Sequence, residues 1–99
     1  MRVIAKRTLR QFWETTEGKG AKAALQDWHA QAVEADWAQP ADLKRQYGDA
    51  SILKGGRVVF NIAGNKYRLV VWINYPHRVV YIRFVGTHAR YDAIDAGTI

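Results

Sequence analysis

The last third of this chain brings together residue types that can move a proton and steady a phosphate: Arg83, then Gly86-Thr87-His88, then Tyr91. An imidazole titrates near neutrality and is the natural proton carrier. A phenol both donates and accepts hydrogen bonds, and a guanidinium grips phosphate through paired N–H groups. Arg68, on an earlier segment, supplies a second guanidinium. Such a set suits RNA cleavage without a metal. The ribose 2′-OH attacks the adjacent phosphate, one group takes its proton and another protonates the departing 5′-oxygen. Arginine offsets the charge that builds on the phosphorane. Each residue also has an ordinary use: His88 can orient a helix, Tyr81 and Tyr91 can pack, and Arg68 and Arg83 can pair with Asp92 and Asp95. Phosphate binding is favoured for the arginines because the acids nearby are too few to pair every cation.

The charge distribution points the same way. The 99 residues carry a net charge of +6. Residues 1–50 are nearly balanced, with eight Lys/Arg against seven Asp/Glu, whereas residues 51–99 hold seven basic groups and two acids, Asp92 and Asp95. A lopsided positive charge suits a polyanionic partner, either nucleic acid or an acidic protein.

Several chemistries are not expected. There is no cysteine, hence no disulfide, thiolate metal site or thiol nucleophile. His29, His77 and His88 fall at no metal-ligand spacing, so neither a metal nor another cofactor is anticipated. The start, MRVIAKRTLRQFW, lacks the apolar run of a signal peptide, and no stretch approaches the ~20 apolar residues of a membrane span. A cytoplasmic protein of one domain, residues 1–99, is expected.

The elements that must position these groups follow from periodicity. Met1–Ala5 reads as an edge strand. Thr8 and Gln11 form a capping-box signature for a helix whose Leu9, Phe12 and Trp13 share one face. Gly18-Lys19-Gly20 ends it, and a second helix is expected from Ala21 to Ala38, with Leu25, Trp28, Ala32 and Ala35 on its apolar stripe. Pro40 suits the start of a short helix over Ala41–Tyr47. The period then falls from 3.6 to 2. Arg57–Ile62, Tyr67–Tyr75 and Arg78–Val85 are strands joined by tight turns, and short links force antiparallel neighbours. A last helix, His88–Asp95, has Thr87 as its cap.

Alternation splits the three strands into two faces. Val58, Phe60, Ile62, Tyr67, Leu69, Val71, Ile73, Val80, Ile82 and Phe84 form an apolar face that must lie under the helices. The opposite face collects Arg57, Val59 and Asn61, then Arg68, Val70, Trp72 and Asn74, then Val79, Tyr81, Arg83 and Val85. Arginine and aromatic groups set in an apolar floor are what an RNA-binding sheet needs. Asn61 is expected to orient Arg68 or touch RNA, and Trp72 to serve as core edge or stacking platform. Trp13, Trp28 and Trp37 are assigned to the core.

The run Val59-Phe60-Asn61-Ile62-Ala63-Gly64-Asn65-Lys66-Tyr67-Arg68-Leu69, with Val80-Tyr81-Ile82-Arg83-Phe84-Val85-Gly86-Thr87-His88-Ala89-Arg90-Tyr91-Asp92, resembles the HigB family of type II toxins. Trp37 with Pro40-Ala41-Asp42-Leu43-Lys44 is similar as well. The resemblance implies an α+β, RelE-like fold of βααβββ order: two N-terminal helices on a small antiparallel sheet, with a short C-terminal helix. It implies an mRNA endoribonuclease that acts on the ribosome, inhibits translation and growth, and is neutralised by a HigA-type helix-turn-helix antitoxin. Operator DNA would be reached only through the antitoxin complex. On this reading His88, Arg83, Arg68 and Tyr91 are the catalytic candidates. Asn61, Lys66, Trp72, Tyr81 and Arg57 are the RNA-binding candidates, with the base and the acid left unassigned. The alternatives are a non-catalytic RNA-binding module and a regulatory protein that binds an acidic partner.

Overall fold

The computed structural model describes residues Met1–Ile99. In chain order the elements are β1 (Arg2–Ile4), α1 (Lys6–Trp13), α2 (Lys22–Glu34), α3 (Pro40–Gln46), β2 (Ser51–Ile52), β3 (Arg57–Ile62), β4 (Tyr67–Asn74), β5 (Val79–Thr87) and α4 (His88–Asp92). The strands make one sheet in the order β1-β5-β4-β3-β2. β1 runs parallel to β5, and every other pairing is antiparallel. The expected α+β arrangement is present, with the small extra strand β2 added at one edge.

The helices differ from expectation at their ends. α1 starts at Lys6 with Ala5 as its N-cap and no side-chain cap bond, so Thr8 lies inside the first turn and its capping-box partner goes unused. Leaving β1 directly, the chain must turn helical before it reaches Thr8. After α1, Thr15 Oγ1 donates to the Phe12 carbonyl and accepts from the Gly18 N–H at 2.9 Å. A Cβ on Gly18 would stand 2.1 Å from the Phe12 carbonyl oxygen, so only glycine fits that return. α2 stops at Glu34, not Ala38, because Ala35 turns extended (φ −73°, ψ 156°). The Met1 amino group donates to the Val33 and Ala35 carbonyls there, satisfying groups the helix end leaves open. α3 begins at Pro40, where the missing N–H costs nothing. α4 is shorter than expected, but Thr87 caps it by accepting the Arg90 N–H at 3.2 Å.

The face of the sheet under the helices is the core. Leu9, Leu25, Trp28 and Leu43 pack on Val58, Phe60, Leu69, Val71, Ile73 and Val80. Trp28 and Tyr47 meet the Phe60 ring edge-on at 5.3 and 5.1 Å. Each such large side chain contributes about 1.5–3 kcal/mol through removal of apolar surface from water.

One alternation expectation fails, at a β-bulge. Val70 stands opposite Phe84, yet its neighbour Val71 stands opposite Ile82, so Arg83 has no partner in the ladder. An extra residue in one strand reverses the facing of everything beyond it. Phe84 therefore leaves the helix side and joins Val59 and Val70, while Val85 turns in toward the main core.

The opposite face is not the open floor that the sequence suggested. Val59 and Val70 are buried under Ala96, with Leu53, Tyr91, Ile94 and Ile99 around them. The segment after α4 folds back across the middle of the sheet. Two valines side by side on a bare sheet would leave apolar area in water, and this segment covers it.

Candidate nucleic-acid interface

The tail divides the outer face into two ends, and the expected site residues fall on both. One end is formed by the β3–β4 turn and the junction of β5 with α4. The turn has Ala63 and Gly64 at positive φ (54° and 70°), which returns the chain so that Lys66 and Arg68 flank the start of β4 at that junction. The His88 N–H donates to the Lys66 carbonyl at 3.1 Å, clamping the start of α4 to the turn. Four residues along the same helix, Asp92 Oδ2 lies 3.1 Å from His88 Nδ1. That spacing puts the two side chains on one face of α4. A carboxylate on Nδ1 holds the tautomer that keeps Nε2 available for proton exchange. The imidazole is 45% exposed, so a substrate can reach it.

Arg68 stands over Tyr91, its guanidinium carbon 5.9 Å from the ring centroid. It also donates to Asn65 Oδ1 at 2.5 Å and to the Asn65 and Tyr67 carbonyls at 3.3 Å. These bonds fix where the cation sits. They use acceptors without adding negative charge, so the positive potential is retained for an anion. Lys66 is exposed, as is Arg83 at the bulge. None of Lys66, Arg68 and Arg83 forms an ion pair. The backbones of Lys66 and His88 thus meet, and Arg68 lies over Tyr91, so the four residues stand at one junction.

Asn61 is opposite Arg68 in the ladder but does not orient it. Its amide donates to Asp49 Oδ2 at 3.2 Å and to the Asp49 carbonyl at 3.4 Å. The expected pairing of Asn61 with Arg68 is corrected accordingly: an acceptor for the amide was already supplied by the loop before β2.

The other end of the face holds Arg57, Trp72 and Tyr81, neighbours across β3, β4 and β5. Trp72 is four residues from Arg68, about 13 Å at ~3.3 Å per residue. Here the groups are used internally. Trp72 and Tyr81 stack with centroids 5.1 Å apart, and Trp72 Nε1 donates to the Gly55 carbonyl at 2.8 Å. Arg57 Nε donates to the Ile99 carbonyl at 2.9 Å. The structure separates these three from the His88 end.

Two contacts that the sequence reading missed also shape the site. Arg90 Nε donates to Glu17 Oε1 at 2.6 Å, tying α4 to the segment after α1. The hydrogen bond from Arg90 holds the Glu17 carboxyl below its usual range, and the same bond raises Arg90. Nothing in local spacing links residues so far apart. The His88–Asp92 pair, by contrast, has a local signal in its i, i+4 spacing on a capped helix. His29 lies away from this face, on α2, and burial with the Lys6 charge lowers its pKa. No group of three or more His, Asp or Glu side chains gathers as a metal site, and no helix is long and apolar enough to cross a membrane.

Among family models, that of the HigB toxin, described as the RelE-like toxic component of a toxin–antitoxin system, matches residues 21–94. The match takes in α2 through α4 and so the whole His88 end of the outer face. No curated protein matches the chain.

Proposed function

The chain belongs to the HigB toxin family, RelE-like toxic components of toxin–antitoxin systems, and on that premise we propose that it is a ribosome-dependent mRNA endoribonuclease. It is a single RelE-like toxin domain that works in the cytoplasm, without a metal, and is restrained by a HigA-type helix-turn-helix antitoxin. The observation that carries the reading is the convergence of Lys66, Arg68, His88 and Tyr91 where the β3–β4 turn meets α4.

The chemistry follows from that convergence. The 2′-OH of a ribose attacks the neighbouring phosphorus, its proton is taken up, and the 5′-oxygen leaves with a proton, producing a 2′,3′-cyclic phosphate. His88, held through Nδ1 by Asp92, and Tyr91 are the proton-handling groups. Arg68 and Arg83 face the charge that accumulates on the phosphorane, and Lys66 holds a flanking phosphate. Arg57, Trp72, Tyr81 and Asn61, the other RNA-binding candidates of the sequence, are held by internal contacts and take no part in this step.

Induced expression should arrest growth and leave transcripts with cyclic phosphate ends, and His88→Ala with Arg83→Ala should relieve both. Unchanged growth and intact transcripts on wild-type induction would sink the proposal. Binding of RNA that survives in His88→Ala, with no cleavage by the wild type, would point instead to a non-catalytic RNA-binding module.

A further inference from the structure

A second feature lies around the edge of the sheet from His88. β2 pairs only with Val58 and Val59 of β3, so the last part of β3 has no strand beside it. Between that free edge, α2 and Tyr47 is a cavity of about 180 Å³. Ligand pockets for drug-sized molecules run to roughly 300–1,000 Å³, so this one has room for a single ring system. Ala24 and Ala63 keep its walls close to the backbone, and the Trp28 and Tyr47 rings give it flat aromatic surfaces.

Its polar rim is biased toward acceptors. Tyr47 Oη donates to Gln31 Oε1 at 2.5 Å, and Gln31 Nε2 donates to Asp27 Oδ2 at 2.9 Å. The chain of bonds runs toward Asp27 and leaves its second carboxylate oxygen without a partner. The amide nitrogen of Asn61 is taken by Asp49, which leaves Asn61 Oδ1 free as well. A ring bearing N–H groups on one edge complements such a rim. Among the bases guanine does so best, since its N1–H and N2–H₂ can meet one carboxylate side by side, whereas uracil has no exocyclic amino group.

The position fits an RNA strand. Asn61 stands directly opposite Arg68, and residues so paired have Cα atoms about 4.5–5.5 Å apart. A phosphate on Arg68 therefore brings an attached nucleoside beside the cavity. Asp27 and Asp49 would repel phosphate but not a neutral base, so charge itself sorts backbone from base.

We propose that this cavity is a nucleobase subsite that takes one unstacked guanine of the bound strand, read by Asp27. The inference rests on the RNA-binding reading above and adds base selectivity to it. The test uses the full chain with two probes, a short uridine oligoribonucleotide and the same strand carrying one internal guanosine, and measures both affinities. One good bidentate pair discriminates its base by roughly tenfold or more, so the guanosine strand should bind roughly tenfold tighter. Its amide shifts should reach Ala24 and Ala63 as well as the Arg68 turn. Asp27→Asn, which keeps the shape, and Ala24→Leu, which fills the space, should each erase the difference and leave the uridine strand's affinity unchanged. Equal binding of both strands by the wild type, or a preference that survives in Asp27→Asn, overturns the subsite alone. Failure of both strands to bind overturns the RNA-binding reading, and the subsite with it.

Discussion

The two faces of the one sheet are closed by different means. On the inner face, α1 and α2 lay whole apolar stripes over Val58, Phe60, Leu69 and Val71, and no charged group is buried there. On the outer face the cover is a short segment, and it reaches only the middle, over Val59 and Val70. The ends stay open. At one, Trp72, Tyr81 and Arg57 satisfy one another or the backbone. At the other, Lys66 stands without an ion pair and His88 presents a free ring nitrogen. Stability therefore belongs to the inner face and the outer centre, and the proposed chemistry to the outer end at His88.

Substitutions can break this division or sharpen it. The largest effect should come at the His88 end. His88→Ala should lower cleavage by about 10²–10⁴-fold, the usual contribution of a positioned proton carrier, while stability stays within about 0.5 kcal/mol because the side chain is half-exposed. Cleavage assays beside urea unfolding check both halves, and a large loss of stability would tie His88 to the core. On the inner face the pattern should invert: Phe60→Ala should cost about 3–5 kcal/mol of stability through the cavity it leaves. Val70→Ala, under the tail, should cost less, about 1–3 kcal/mol. If Val70→Ala unfolds no more easily than wild type, the tail is not a true second core. At the closed end, Trp72→Phe removes the bond to Gly55 and shrinks the ring stacked on Tyr81, and should leave cleavage unchanged.

The smallest expected effect is on alkaline stability. Burial, aided by the charge of Asp27, pushes the Tyr47 phenol up to about 12 from 10.0. The folded state thus holds that proton more tightly than the unfolded chain does. The associated stability is fully present below pH 10, and is lost as pH rises toward 12. Tyr47→Phe, which has no proton to lose, should shift the alkaline unfolding midpoint upward. Unfolding curves taken at successive pH values in that window check it, and an unchanged midpoint would place the phenol in water.

Much of the architecture was legible because it rests on short-range patterns. The period-2 runs marked three strands, the tight turns set them antiparallel, and Thr87 announced the cap of α4. Asp92, set against the arginines in the sequence reading, pairs instead with His88 four residues before it. What misled was counting alternation through Arg83. A bulge leaves no local mark, so Phe84 and Val85 were placed on each other's faces. Thr8 misled in the same way, since a capping signature is overridden when a strand feeds the helix from upstream.

For the site, the residue types determined which chemistry was available: cations in the second half, one histidine beside a tyrosine, and no thiol. Only the tertiary structure decided which of them meet. It gathered Lys66, Arg68, His88 and Tyr91, turned Asn61 to Asp49, and set Trp72 and Tyr81 apart. The reason is physical. Composition and period are properties of neighbours along the chain, whereas register, bulge position and the cover of Val59 and Val70 depend on which distant segments can satisfy each other's hydrogen bonds and exclude water together.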